Sequence, residues 1–230
     1  MANEEALAAQ FVNELLDVCQ AAGFASVRMF VVLDKASKDN TLQILRELEK
    51  HRSELQVVWA PEDRSVVDAY LRGYREAIAT DCDWILEIDA GYSHQPADAQ
   101  QFFAAMLEGH DCVFGSRFCN GGRMTGSFKR RIVSRGGTAL ANLLLGTRMK
   151  DMTSGFEMFS RATLQDVLDK GIHSRAHFFQ TEIRAHCRNL HFAEVPIRYR
   201  VIGNSVNRRA LTDAWINLWR LFRLRLAGRL

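Results

Sequence analysis

Proline is scarce in this chain, at three residues in 230. That excludes a proline-rich linker and a polyproline recognition segment. No apolar run reaches the roughly 18 residues that a membrane-spanning helix needs. The first residues carry no basic start leading into an apolar stretch, so no secretory signal is expected. The five cysteines, Cys19, Cys82, Cys112, Cys119 and Cys187, are odd in number and show no C-x-x-C spacing. A disulfide framework is therefore not expected, and a reducing cytosol is the expected compartment. Internal repeats and low-complexity tracts are also absent.

What is present builds a core. The chain is 47% hydrophobic and 25% charged, which suits one large globular domain, alone or with an appendage. Its charge is uneven. Residues 198–230 hold eight arginines (198, 200, 208, 209, 220, 223, 225 and 229) against the single Asp213, a balance of +7. The whole chain is +3, so the remainder sums to −4. A basic end suits an anionic partner: phosphate groups, acidic lipid or nucleic acid.

The apolar pattern alternates between periods. Residues 3–22 place Leu7, Phe11, Leu15 and Val18 at helical spacing. Residues 27–33, 55–59, 84–88 and 112–115 read as strands. Between them, helices are expected from Thr41, over 66–79, and through Phe102, Phe103 and Met106. This alternation predicts an α/β fold with a mostly parallel sheet and helices on both faces. Beyond Gly115 the rhythm changes to a long helix over 127–145, a loop at 151–155 and a strand over 194–200. A last helix begins near Arg209. On it, Leu211, Trp215, Leu218, Phe222 and Leu226 share one face, with Arg209, Asp213, Arg220 and Arg223 largely off it.

Two strands close on carboxylates. Trp84-Ile85-Leu86-Glu87-Ile88 ends in Asp89, and Val31-Val32-Leu33 ends in Asp34. Open α/β sheets bind ligands at the carboxyl edge of their strands. A carboxylate there is placed to hold a divalent cation, which in turn can hold a diphosphate. Ser37, Asp39 and Thr41 follow Asp34 in a turn. That turn suits helix capping and also hydrogen bonds to a base or ribose. Arg117 follows Gly115-Ser116, and Arg130, Arg131 and Arg135 crowd the start of the next helix. Guanidinium forks match phosphate oxygens, and a solvated basic helix face is the alternative.

Taken in order, these segments resemble a known family. Asp34-Lys35-Ala36-Ser37-Lys38-Asp39-Asn40-Thr41 is similar to the D-D-G-S-T-D-G-T turn of inverting GT-A-fold glycosyltransferases. Ile88-Asp89-Ala90-Gly91, closing on His94-Gln95-Pro96, is similar to their D-A-D segment. Gly115-Ser116-Arg117-Phe118, Gly121-Gly122, Arg130-Arg131 and Ser134-Arg135 resemble the branch that contains dolichyl- and polyprenyl-phosphate mannose synthases. Asp151-Met152-Thr153-Ser154-Gly155-Phe156, Glu194-Val195-Pro196-Ile197, and Arg200 with Gly203-Asn204-Ser205 continue the likeness. It covers nearly the whole chain.

The resemblance implies a GT-A-like domain over 1–207 and a basic amphipathic helix over 208–230. It implies a GDP- or UDP-linked sugar donor, a polyprenyl phosphate acceptor and Mg2+ or Mn2+. Asp34, Ser37, Asp39, Asp89 and Arg200 would bind the donor, with Asp89 also on the metal. Arg117, Arg131 and Ser134 would hold the acceptor phosphate, and Gln180 and Glu182 match an acceptor-side helix. Glu182 is the candidate base for a hydroxyl acceptor. Asp89, Arg117, Arg131 and Glu182 form the candidate catalytic set. The C-terminal helix would rest on a membrane surface, giving a peripheral position at its cytoplasmic face, or pack on the domain.

The chain also departs from the pattern. The usual first strand is missing, and Asn3-Glu4-Glu5 resembles the N-E pair that follows it. Lys35, Gly91 and Val206 stand where the family has Asp, Asp and Lys, with His94 and Glu87 as candidates to compensate. Two alternatives therefore stand beside transfer to a lipid phosphate: transfer to a sugar hydroxyl, and a non-catalytic binding subunit. No nucleic-acid motif accompanies the basic tail, so no nucleic-acid partner is expected.

Overall fold

A computed structural model describes residues 1–63, 65–201 and 208–230. In chain order the first half contains α1 (Ala8–Ala21), β1 (Met29–Leu33), α2 (Thr41–Glu49), β2 (Leu55–Trp59), α3 (Val66–Ile78), β3 (Trp84–Glu87), α4 (Ala99–Leu107) and β4 (Cys112–Ser116). The second half contains β5 (Arg123–Met124), α5 (Phe128–Leu145), β6 (Glu157–Ser160), α6 (Arg161–Asp169), α7 (Phe178–His186), β7 (Phe192–Pro196), β8 (Arg198–Tyr199) and α8 (Arg208–Leu226). Ser65, Ser127 and Ser160 cap α3, α5 and α6, each side chain accepting from a backbone N–H three residues on.

β1 and β2 pair in parallel, with Val31 opposite Val57. β3, β6, β4 and β7 form a second sheet in that order. β4 and β7 are parallel, whereas β6 runs antiparallel to both its neighbours. Short β5 and β8 make a third, parallel pair. Among the described residues β1 pairs only with β2, and β3 only with β6. Both line one cavity of about 1290 Å³. Among the described residues no strand bridges β1 and β3 across that cavity.

Helices cover both faces. Phe11 and Leu15 of α1 meet Phe102 and Phe103 of α4 over Val113, Met158 and Val195. On the other face Tyr74, Leu145, Leu164, Phe179, Leu218 and Leu221 bring α3, α5, α6, α7 and α8 together over Ile85, Phe114 and Phe159.

Two expectations change. The first helix begins at Ala8 rather than Asn3, because residues 3–5 bond to the turn after β1. Asn3 Nδ2 donates to Ala36 O at 2.9 Å, Glu4 N to Thr41 Oγ1 at 2.8 Å, and Glu5 N to Asp39 Oδ2 at 3.0 Å. The packed face of α8 also differs from the expected one. Leu218 and Leu221 are buried, while Leu211, Trp215 and Leu226 are exposed. Asp213 and Arg220, read as outward, find partners on the domain: Asp213 accepts from Ser174 Oγ at 2.5 Å, and Arg220 Nη2 donates to Glu182.

Candidate active site

The ends of β1 and β3 open on one cavity. Asp34 and Asp89 line the same cavity, together with Glu4, Glu87, Ser93, Thr153, Gln180 and Tyr199. The Met1 ammonium donates to Val32 O at 2.6 Å and feels the fields of Asp34, Asp89 and Glu4. Asp34 Oδ1 accepts from Ala36 N at 2.8 Å, which fixes its carboxylate in the turn. Asp39 is occupied within that turn, accepting from Thr41 N, Thr41 Oγ1 and Ser37 Oγ. Ser37 and Asp39 therefore build the turn that presents Asp34.

Asp89 is held by Tyr70, whose hydroxyl donates to Oδ1. His94 Nδ1 lies 3.6 Å from Oδ2. Burial pushes the Asp89 carboxyl up to about 7, with the Met1 ammonium acting the other way. Burial likewise drives His94 down to about 3, aided by the positive charge of Arg117, so its imidazole is neutral. Gly91 follows at φ 75°, in the left-handed region. A Cβ built on it would lie 2.8 Å from Glu4 Cδ, so the Glu4 carboxylate fills the space a side chain at 91 would take. Gly155 is equally constrained: its Cβ would strike Gln180 Nε2 and sit 3.1 Å from Asp89 Oδ2.

Arg117 is buried behind Thr153 and Tyr199 and does not itself line the cavity. Its Nε donates to Asp151 Oδ2 and its Nη2 to Asp151 Oδ1, both at 2.7 Å. Nη2 also donates to Ser134 Oγ at 2.9 Å and Thr153 Oγ1 at 2.5 Å. Burial acts to raise the Asp151 carboxyl, but the Arg117 hydrogen bonds prevail and hold it below the usual range. The guanidinium stands 5.2 Å from the ring centroid of Tyr199, which itself lines the cavity. Tyr199 and Thr153 thus link buried Arg117 to the cavity that Asp34 and Asp89 line. Arg131 is exposed on α5 and donates to Met124 O at 3.1 Å. Arg200 is exposed, its N–H donating to Ser93 O at 2.7 Å beside the cavity. Gly203, Asn204, Ser205 and Val206 lie outside the described residues.

Glu182 requires a correction. It is 0% exposed and does not line the cavity. It accepts from His173 N at 3.1 Å, Ser174 N at 2.9 Å and Arg220. A fully enclosed, fully bonded carboxylate ties α7 to α8 and has no path to an acceptor proton, which rules out the base role in this arrangement. Gln180, one half-turn earlier, does face the cavity.

Beneath the site lies a network the sequence did not announce. Arg184, 0% exposed, donates to Glu157 Oε1 at 2.7 Å and Ser154 O at 2.9 Å, and also to Asp151 O. It stacks 4.7 Å from the Phe114 centroid. Arg184 thereby fixes the 151–155 loop that presents Asp151 and Thr153. No sequence signal marked it, since the same helix also carries Gln180, Thr181, Glu182 and His186.

The site fits a divalent cation only in part. Among the described residues no group of three or more His, Cys, Asp and Glu side chains is disposed to hold a metal. Asp89 and Glu4 nevertheless place two carboxylates on the cavity, and small hard cations are often held by one or two carboxylates plus substrate phosphates.

Residues 1–168 match the family described as glycosyl transferase family 2. The chain belongs to that family. This family 2 protein is 28% identical over 180 residues to the undecaprenyl-phosphate mannosyltransferase of Micrococcus luteus, covering 76% of the chain and 74% of that relative. It is 26% identical over 173 residues to the polyprenol monophosphomannose synthase of Mycolicibacterium smegmatis, covering 74% of the chain and 65% of that relative. Its fold is similar to glucosyl-3-phosphoglycerate synthase of Mycobacterium tuberculosis in complex with Mn2+, UDP and phosphoglyceric acid. The TM-score is 0.63 at 17% identity, over 98% of this chain and 75% of that one. The same enzyme with Mg2+ and UDP gives 0.59 at 17% identity, over 99% and 77%.

Proposed function

We propose that this family 2 glycosyltransferase moves a hexose, of mannose or glucose type, from a nucleoside diphosphate to a polyprenyl phosphate, with inversion. The observation that carries this reading is the shared cavity: Asp34 and Asp89 at two strand ends, facing Thr153 and Tyr199, which contact Arg117. Both curated relatives carry names of lipid-phosphate mannosyl transfer.

Asp34 takes the base or ribose side of the donor, and Asp89 the diphosphate side. A divalent cation bound there supplies charge stabilisation for the departing diphosphate. Arg200 flanks the same edge and adds positive charge to it. On the Thr153–Tyr199 side, Ser134 and the exposed Arg131 receive the acceptor phosphate, while Arg117, buried and paired with Asp151, positions Ser134 and Thr153. A lipid phosphate has its second pKa near about 6 and is largely ionised at neutral pH. One of its oxygens attacks the anomeric carbon from the face opposite the leaving diphosphate, and the old carbon–oxygen bond breaks as the new one forms. The acceptor needs orientation rather than deprotonation, which agrees with a Glu182 sealed away from the cleft.

The lipid reading also accounts for an exposed apolar and basic surface. α5 presents Phe128, Ile132, Val133 and Leu143 to solvent, with Lys129 and Arg131 among them. α8 packs beside α5 and presents Leu211, Trp215, Ile216, Trp219 and Leu226. No helix among the described residues is long and apolar enough to cross a membrane. We therefore place the protein peripherally, with α5 and α8 against an anionic membrane surface, at its cytoplasmic face.

A ligand-induced stability panel tests the donor half. GDP, UDP and their sugars, each with Mn2+ or Mg2+, should raise the unfolding midpoint for one base and not the other. No shift with any of them contradicts the reading.

A further inference from the structure

Glu87 closes β3 two positions before Asp89, so no more than about 7 Å separates the two Cα atoms. Its side chain is 6% exposed and lines the cavity. Among the described residues neither carboxyl oxygen meets a hydrogen-bond partner. Opposite it in register, Glu157 has Arg184 as a partner, and Glu87 has no such contact. A glutamate is almost never this buried without a partner, and leaving its oxygens unmet costs free energy. It also stands in the apolar run Trp84 to Ile88, where packing alone favours an aliphatic side chain.

Gln180 of α7 joins Glu87 to the Asp89 end of the cavity. A Cβ built on Gly155 would meet Gln180 Nε2 and, at 3.1 Å, Asp89 Oδ2, so the amide and that carboxylate share one small space. The Gln180 side chain also lies near enough to act on the Glu87 carboxyl. Gln180 is itself buried and lines the cavity. Tyr74 of α3 lines it too, with a buried hydroxyl that meets no partner. A carboxyl, an amide and a phenol hydroxyl are groups that hydrogen-bond neutral hydroxyls. In the nucleotide-sugar reading Asp89 takes the diphosphate side, and the hexose hangs from that diphosphate within reach of Glu87.

We propose that Glu87 binds the sugar of the donor, its carboxyl accepting a hydrogen bond from a hexose hydroxyl while the Gln180 amide donates to a neighbouring one. This role rests on the nucleotide-sugar reading and adds to it the residues that read the sugar rather than the nucleotide. A site built from buried hydrogen-bonding groups rejects a ligand that leaves them unpaired.

The test is calorimetric titration of GDP, UDP and their mannose- and glucose-linked forms, with Mg2+ present, against the parent, Glu87→Leu, Glu87→Gln and Gln180→Leu. Glu87→Leu should weaken the nucleotide sugar at least about tenfold and leave the free nucleoside diphosphate within about twofold of the parent, because only the sugar meets position 87. Glu87→Gln keeps the shape and a carbonyl acceptor, and should hold the nucleotide sugar within about threefold. Gln180→Leu probes the same pocket from α7 and should repeat the Glu87→Leu pattern. Parent-like binding of the nucleotide sugar by Glu87→Leu or Gln180→Leu overturns the role. Equal loss of free and sugar-linked nucleotide also overturns it, since that marks a structural residue, as does Glu87→Gln no better than Glu87→Leu. A parent that binds no nucleotide contradicts the donor reading itself, whereas a parent that binds both forms beside unchanged variants contradicts the sugar contact alone.

Discussion

Asp151 receives Arg117 as a two-pronged pair, Oδ2 from Nε and Oδ1 from Nη2, each at 2.7 Å. Both side chains are buried, and the Arg117 N–H adds a third bond to Oδ2 at 3.0 Å. The geometry is that of a charge-assisted fork. Removing one partner strands the other charge in the interior. Arg117→Met should therefore lower the unfolding free energy by roughly 3–5 kcal/mol, measured by urea titration. Arg117→Lys keeps the charge but not the fork, and should still reduce transfer at least about tenfold. An unchanged urea midpoint for Arg117→Met contradicts the pairing.

Glu87 and Glu157 face each other in register across β3 and β6. Burial raises the Glu87 carboxyl well above its ordinary range, and the Glu157 charge adds to this. Burial pushes Glu157 up to about 7 against the pull of Arg184. With folded values raised, these groups hold protons in the native chain that the unfolded chain has released. The Glu157 contribution to stability is complete below the unfolded value of 4.5 and is lost as pH climbs through about 7, and the Glu87 contribution is lost in the same direction as pH rises. Glu87→Gln fixes the neutral form. Its unfolding midpoint should gain on the parent as pH rises above the unfolded carboxyl value. Parallel curves for the two proteins as pH rises contradict the assignment.

Glu182 anchors α8 through Arg220 and closes the 173–174 turn. Glu182→Gln should lower the unfolding midpoint by several degrees while the folded fraction keeps its turnover number within about threefold, since its carboxylate is enclosed and away from the cavity. A drop of about a hundredfold or more in turnover, with the midpoint preserved, would restore the role of base.

Much of this arrangement was legible in the sequence. The four strands β1 to β4 and the carboxylates after β1 and β3 follow from apolar runs that close on Asp34 and Asp89. β6 was not legible, because Glu157 interrupts the run Phe156 to Phe159, and only the folded chain shows Arg184 neutralising it from 27 residues away. The inward face of α8 was misread for the same reason. Periodicity counts Asp213 and Arg220 as polar, whereas Ser174 and Glu182 give them buried partners. Glu4 was read only as part of Asn3-Glu4-Glu5, and nothing local links it to Gly91, whose space it fills.

The outer face of α8 offers a separate test. Trp215 and Ile216 are 54% and 61% exposed, so their removal should leave the fold intact. Burying such side chains in a bilayer interface is worth up to about 1.5–3 kcal/mol each. Trp215→Ala with Ile216→Ala should reduce co-sedimentation with phosphatidylglycerol vesicles at least about tenfold. Binding by the parent should also weaken as salt rises. Equal binding by parent and variant would place the membrane contact elsewhere.

Transfer of radiolabelled hexose to polyprenyl phosphate in detergent, with GDP- and UDP-linked donors, compares the parent with Asp89→Asn most directly. The parent should yield a sugar-phosphate lipid that partitions into organic solvent. Asp89→Asn, folded and equally soluble, should yield less than about one hundredth as much. A parent that binds a nucleotide sugar yet forms no lipid product, or an Asp89→Asn variant as active as the parent, contradicts a single cleft that joins donor and acceptor.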